Sequence, residues 1–199
     1  MAMGFLKMVK NSLITLLAAT IILSGFQLYK NFKLEKFSFE DKKEGRKEIL
    51  VYFHNSSLQK DQNDCGEVFA VSRVVSEEEP PARSVLEQLL QGPTVEEKNK
   101  GFSSFFSDNT WNFLKSVKIA GATAYVNLED LRSVIPNASS SCGSQSFLSE
   151  MKKTLTQFPE IKRVIFAING RTNDFYEWLQ IGCGAENDGC NNKPFELID

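Results

Sequence analysis

From Asn11 to Tyr29 the chain reads NSLITLLAATIILSGFQLY, a run without one charged side chain. At about 1.5 Å of rise per residue, a helix of this length comes close to the ~30 Å hydrocarbon core of a bilayer. Lys7 and Lys10 precede it, and Tyr29 and Lys30 stand where interfacial anchors belong. A cleaved signal peptide is the alternative, but LSG at Gly25 lacks the small-x-small pattern of a cleavage site. Phe26 stands where a lipidated cysteine would be needed, which rules out acylation there. The run is read as an uncleaved single span, with residues 1–10 as a short cytoplasmic tail and the bulk of the chain outside the cytoplasm. Residues 30–46, which mix both charges with isolated aromatics, are read as a stalk.

Cysteine usage agrees with that compartment. Cys65, Cys142, Cys183 and Cys190 all follow the span, and an even count in an oxidising environment reads as two disulfides. Three connectivities are possible; pairing Cys183 with Cys190 would close the short loop CGAENDGC and leave Cys65 for Cys142. Zinc is disfavoured because there is no CxxC pair and no second histidine. With 23 basic and 25 acidic residues, the net charge of −2 gives no reason to expect nucleic acid as a partner.

Beyond the stalk the hydrophobic period places the elements. KEILVYFHN (Lys47 to Asn55) and EVFAVSRVVS (Glu67 to Ser76) read as strands, the first buried on both faces. After Pro81, Val85, Leu86, Leu89 and Leu90 form a helix face, Arg83 and Glu87 pair at i,i+4, and Gly92-Pro93 ends the helix. Thr94 stands three residues before Glu97 as a capping box for one more turn. KSVKIAGATAYVNL reads as a hairpin turning at Gly121, and residues 136–146 read as a Pro/Ser/Gly-rich loop. Phe147, Leu148, Met151, Leu155 and Phe158 make a helix stripe that Pro159 stops. Val164 to Ile168, apolar on both faces, is expected as a central strand. The expected fold is α+β: a single mixed sheet in the order β-β-α-β-β-α-β, with two main helices packed on it and a transmembrane helix before it. The domain spans 47–181, and 182–199 is read as a polar tail with a disulfide loop.

No catalytic constellation emerges. His54 is the only histidine, Cys142 reads as a disulfide partner rather than a nucleophile, and Glu129 and Asp130 read as a loop cap. Phosphate-binding glycine motifs are absent, and no catalytic, metal or cofactor site is expected. The segment GFSSFFSDNTWNF gathers Phe102, Phe105, Phe106, Trp111 and Phe113 in serine-rich surroundings. It reads as core packing under a loop or as a partly exposed contact surface.

Jointly, five stretches resemble the GerMN domain, the sporulation and spore-germination module of bacterial envelope proteins. They are VYFHNSS, CGEVFAVSRVV, LEQLLQGPTVEEKNKGF, SVKIAGATAYVNLED and EMKKTLTQFPEIKRVIFAING, covering about residues 48 to 181. The resemblance implies a small extracytoplasmic module that is not known as an enzyme, similar in organisation to ring-building modules that pack side by side. It also implies work near peptidoglycan and pairing of Cys65 with Cys142. The expected function is a non-catalytic envelope scaffold or binding module on a single-pass anchor. Its expected partners are other envelope proteins or copies of itself, peptidoglycan, and the membrane through residues 11–29. The competing readings are a monomeric wall-fragment binding domain, with Trp111 at its site, and a cysteine- or carboxylate-dependent wall hydrolase.

Overall fold

The computed structural model describes residues 45–61 and 63–196. The span and most of the stalk read from the sequence lie outside them. No helix among the described residues is long and apolar enough to cross a membrane. From Gly45 onward the chain forms one compact unit with its own core.

Two strands open the fold. β1 (Arg46–Asn55) and β2 (Phe69–Ser76) pair antiparallel along eight residues, from Arg46 opposite Ser76 to Phe53 opposite Phe69. α1 (Pro81–Leu90) follows, with Pro81 in its first turn, where a missing N–H costs nothing. Next come a one-turn α2 (Val95–Asn99), a two-residue strand β3 (Phe102–Ser103) and the hairpin β4 (Leu114–Ala120) and β5 (Thr123–Leu128). α3 (Ser141–Thr156) then carries the chain across to β6 (Arg163–Ile168), which pairs parallel to β5. A crossover of that kind is what parallel pairing requires. α4 (Thr172–Trp178), a 3₁₀ turn (Ala185–Cys190) and α5 (Lys193–Glu196) complete the described residues.

The strands form two three-stranded sheets, β2-β1-β3 and β4-β5-β6, not the single sheet expected. The reason lies on α3, which packs against β1, β6 and α1. Its Gln157, Thr154 and Glu150 lie along one helix face and take the backbone N–H groups of Leu50 (3.1 Å), Tyr52 (3.1 Å) and His54 (3.4 Å). Gln157 also donates to the Leu50 carbonyl at 2.7 Å. The edge of β1 that would have continued into β4–β6 is therefore occupied by side chains. Four strand residues span about 13 Å and seven helix residues about 10 Å. The unequal lengths of Glu, Thr and Gln absorb that mismatch.

Two further expectations are corrected. β6 is an edge strand, not a central one. It is apolar on both faces because Phe147, Phe175 and their neighbours cover one side while Phe195, from the tail, packs with Ile165, Ala167 and Tyr125 on the other. The loop expected over 136–146 is partly helix: Ser140 caps α3 by accepting from the Gly143 N–H at 3.0 Å, so Cys142 lies in the first turn. The Arg83–Glu87 pair, the hairpin at Gly121 and the Thr94–Glu97 capping box are all present.

The capping box belongs to a larger knot. Arg73 of β2 reaches under α1 and donates to the carbonyls of Gln88 (2.7 Å) and Gly92 (2.8 Å) and to Glu97 Oε2 (2.6 Å). Glu97 also accepts from the Thr94 N–H at 2.7 Å, and the Arg73 guanidinium lies 5.3 Å from the Phe53 ring centroid. Gly92 adopts φ +73°, and a Cβ there would overlap the Phe106 carbonyl. The Gly92-Pro93-Thr94 stop is thus locked from both sides. Arg73→Ala strands a nearly buried carboxylate and orphans helix-end carbonyls, so it should cost about 3–5 kcal/mol in urea unfolding. Arg73→Lys should recover only part of that, because three donors on one nitrogen cannot match four bonds spread over the three nitrogens of a planar guanidinium. A loss below about 1 kcal/mol would show that the knot is not structural.

Candidate functional site

Each residue of GFSSFFSDNTWNF has a distinct environment. Phe106 is 1% exposed, with its ring centroid 5.1 Å from that of Phe147, so it belongs to the core rather than to a contact surface. Phe102, Phe105 and Phe113 are half-buried against the same core. Buried Thr110 pins the segment by donating to the Leu90 carbonyl at 2.6 Å, and it accepts from the Ser107 N–H at 2.9 Å. Trp111, the next residue, points outward and is 58% exposed. Of the five aromatics, only Trp111 stands free.

The same segment lines a cavity of about 250 Å³ with His54, Ser103, Ser104, Phe105, Ser146 and Glu150. Glu150 is fully buried, and loss of hydration pushes its carboxyl up to about 8 despite hydrogen bonds from Ser104 and the His54 backbone. At neutral pH it is largely protonated. Ser104 Oγ donates to Glu150 Oε2 at 2.5 Å and accepts from the Phe106 N–H at 3.0 Å. Burial lowers the His54 imidazole below its ordinary 6.5, against the raising effects of a hydrogen bond to the Ser146 backbone and the Asp64 charge. His54 Nε2 is buried with no hydrogen-bond partner among the described residues.

A histidine, an acid and three serines share this cavity without forming a relay. Glu150 is spent on the β1 edge and on Ser104, and Ser146 Oγ donates to the Cys65 carbonyl at 2.7 Å. A nucleophile needs a base within hydrogen-bond reach, and among the described residues no serine hydroxyl is bonded to the imidazole ring, which meets only the Ser146 backbone. Cys142 carries no thiol, because Cys65–Cys142 and Cys183–Cys190 are disulfides, separated by 77 and 7 residues. Glu129 pairs with Lys115 at 3.3 Å. Asp130 pairs with Arg132 at 2.6 Å, and that hydrogen bond holds its carboxyl below the usual range. Among the described residues no group of three or more His, Cys, Asp or Glu could hold a metal ion.

The first sheet ends at β2 on one side and at β1 with its two-residue partner β3 on the other, the second ends at β4 and β6, and three of these four sides are protected. α3 side chains and β3 cover β1. The Phe166 N–H of β6 donates to the Tyr176 hydroxyl at 3.2 Å. β4 carries Lys115 and Lys118, charges of the kind that discourage edge pairing. β2 is different. Its one charge, Arg73, turns inward, it contains no proline, and no hydrogen bond among the described residues covers its outer side. Val74, 58% exposed, and Leu50, 37% exposed, lie on the open face beside that edge. Reading the sequence missed both the roles of Arg73 and Glu150 and this bare edge. The one available signal was a lone charge at an inward position of β2.

A compact α+β module held by two disulfides, with one unprotected strand edge, is the class of protein these features define. A family model described as Germane, sporulation and spore germination, matches residues 50–174. The chain belongs to that family. Among solved structures it is similar to the tandem GerMN domains of the sporulation protein GerM from Bacillus subtilis. There the identity is 19% and the TM-score 0.44, over 63% of this chain and 40% of that one, so the chain spans about two-fifths of the tandem structure's length. It is also similar to a candidate lipoprotein from Clostridium perfringens, at 21% identity and TM-score 0.35, over 63% of this chain and 76% of that one. No curated protein matches it.

Glu150 generates a pH prediction. Its native form keeps a proton up to about 8, whereas the unfolded chain releases it near 4.5. Between those values the native state binds more protons, so stability falls as pH rises through the window. Glu150→Gln should remove that slope in urea titrations across the window. What remains should have the opposite sign below 6.5, because the unfolded chain protonates His54 first. An unchanged slope in the variant would mean that Glu150 is not the group responsible.

Proposed function

We propose that this chain is a non-catalytic scaffold of the bacterial cell envelope, held by a single span at residues 11–29 with its folded domain outside the cytoplasm. In this reading it assembles with a second copy of itself through β2. Two observations support the compartment: all four cysteines are bridged, and the apolar run precedes the domain. The observation that carries the assembly is the bare β2 edge beside three protected ones. A two-fold pairing of β2 centred on Ser72 sets Val74 opposite Ala70 and Arg73 opposite Val71, so no like charges meet across the seam. Membership of the sporulation and germination family supports a role in envelope assembly during those processes.

The test is sedimentation equilibrium on the oxidised chain from Gly45 onward, up to about 1 mM, where a contact of about −4 kcal/mol half-saturates. Concentration-dependent dimers are expected. Ser72→Lys and Val74→Lys, both at exposed positions, should weaken them at least about tenfold without changing unfolding, by setting like charges along the seam. A wild type that stays monomeric over the whole range, or lysine variants that associate unchanged, would refute assembly through β2. Reduction with unfolding of the Cys65–Cys142 bridge should cost about 4 kcal/mol from its loop length. Reduced protein as stable as oxidised would weaken the extracytoplasmic reading.

A further inference from the structure

We infer that the cleft between α1 and the Trp111 segment is a binding site for a neutral glycan. Arg83, Glu87, Gln91, Trp111, Asn112 and Leu114 line it, around a volume of about 330 Å³. Arg83, Glu87 and Gln91 follow one another at i, i+4 and i+8, so their side chains make a row about 12 Å long on α1 and its C-cap. Trp111 and Asn112 form the facing wall, and Leu114 is buried beneath.

The chemistry of the row is that of planar polar groups. The row's guanidinium, carboxylate and amide, with the Asn112 amide opposite, can each engage a vicinal hydroxyl pair through two hydrogen bonds, and either amide can bond the N–H or the carbonyl of an acetamido group. The indole offers an apolar face on which the C–H side of a pyranose ring stacks. Arg83 Nε already lies 2.8 Å from Glu87 Oε1, so the two charges cancel and hold each other in place. That cancellation favours an uncharged ligand over a phosphate or a nucleic acid, both of which need a surplus of positive charge. The platform is also rigid. Thr110, immediately before Trp111, is buried and hydrogen-bonded to Leu90 at the end of α1, and the Phe113 N–H returns to the Thr110 carbonyl at 3.2 Å. An indole fixed outward by a buried anchor, beside an ion pair and the exposed amides of Gln91 and Asn112, contributes little to the core and much to a contact.

This inference goes beyond assembly through β2, and the two fail separately, because the cleft is built on α1 with its C-cap, the Trp111 segment and the first residue of β4, none of them on β2. The test is calorimetric titration of the oxidised chain from Gly45 onward with chitotetraose and, in a second arm, cellotetraose. Saturable binding with a dissociation constant of about 1 mM or tighter is expected for at least one. A preference for chitotetraose identifies the acetamido group as the element read by Gln91 and Asn112, and equal binding identifies the ring and its hydroxyls. Trp111→Ala should weaken binding at least tenfold, Trp111→Phe should restore part of it, and Gln91→Ala should cost about fivefold. Val74→Lys should bind as the wild type does. No saturable heat with either sugar up to about 10 mM, or Trp111→Ala titrating like the wild type, overturns the assignment.

Discussion

Three side chains on α3 and its C-cap decide the architecture. Gln157, Thr154 and Glu150 bind the outward N–H groups of Leu50, Tyr52 and His54, in the place a fourth strand would have taken. A strand edge left open in the middle of a domain would strand buried amides, each costing about 1–3 kcal/mol. Filling it with side chains lets α3 act as a divider: its apolar residues Phe147, Met151 and Leu155 pack into the core while its polar row closes one sheet. Everything on the far side, the β4–β5 hairpin and β6, is then free to form a separate sheet with its own edge protections.

That arrangement has a cost, which Glu150 bears. Loss of hydration inside the core raises this carboxyl to about 8 even though a backbone N–H and Ser104 bond it, so it is largely protonated at neutral pH. The cavity beside it contains the histidine, acid and serines that a hydrolase would use, but each is committed to holding backbone or is unaligned with the others. Residue inventory and chemistry part company here. The same applies to Cys142 at the start of α3: the position suits a reactive thiol, and the disulfide to Cys65 removes it.

Local structure was largely legible in the sequence, because it rests on nearest-neighbour rules. Thr94 and Glu97 fix a capping box by spacing alone, Gly121 fixes a hairpin, and the stripe from Phe147 to Phe158 fixes a helix face. Long-range partition was not legible. Nothing local in Glu150, Thr154 and Gln157 says that their polar row faces a strand instead of water, since i, i+4, i+7 polar spacing is what any solvated helix face shows. β6 looked central for a related reason. An edge strand buried on both faces by helices and by Phe195 from the tail has the same apolar pattern as a central one. Among the aromatics, composition could not separate Phe106 from Trp111; the difference lies in which way a pinned segment turns each side chain.

Amide hydrogen exchange, read residue by residue at two protein concentrations, tests the central claim most directly. If α3 closes β1 and β2 is the open edge, then Leu50, Tyr52 and His54 are protected at both concentrations. The outward amides of β2 exchange fast when dilute and slow when concentrated. Rapid exchange at Leu50, Tyr52 and His54 would contradict the closure of β1 by side chains, and β2 amides indifferent to concentration would contradict its role as the assembling edge.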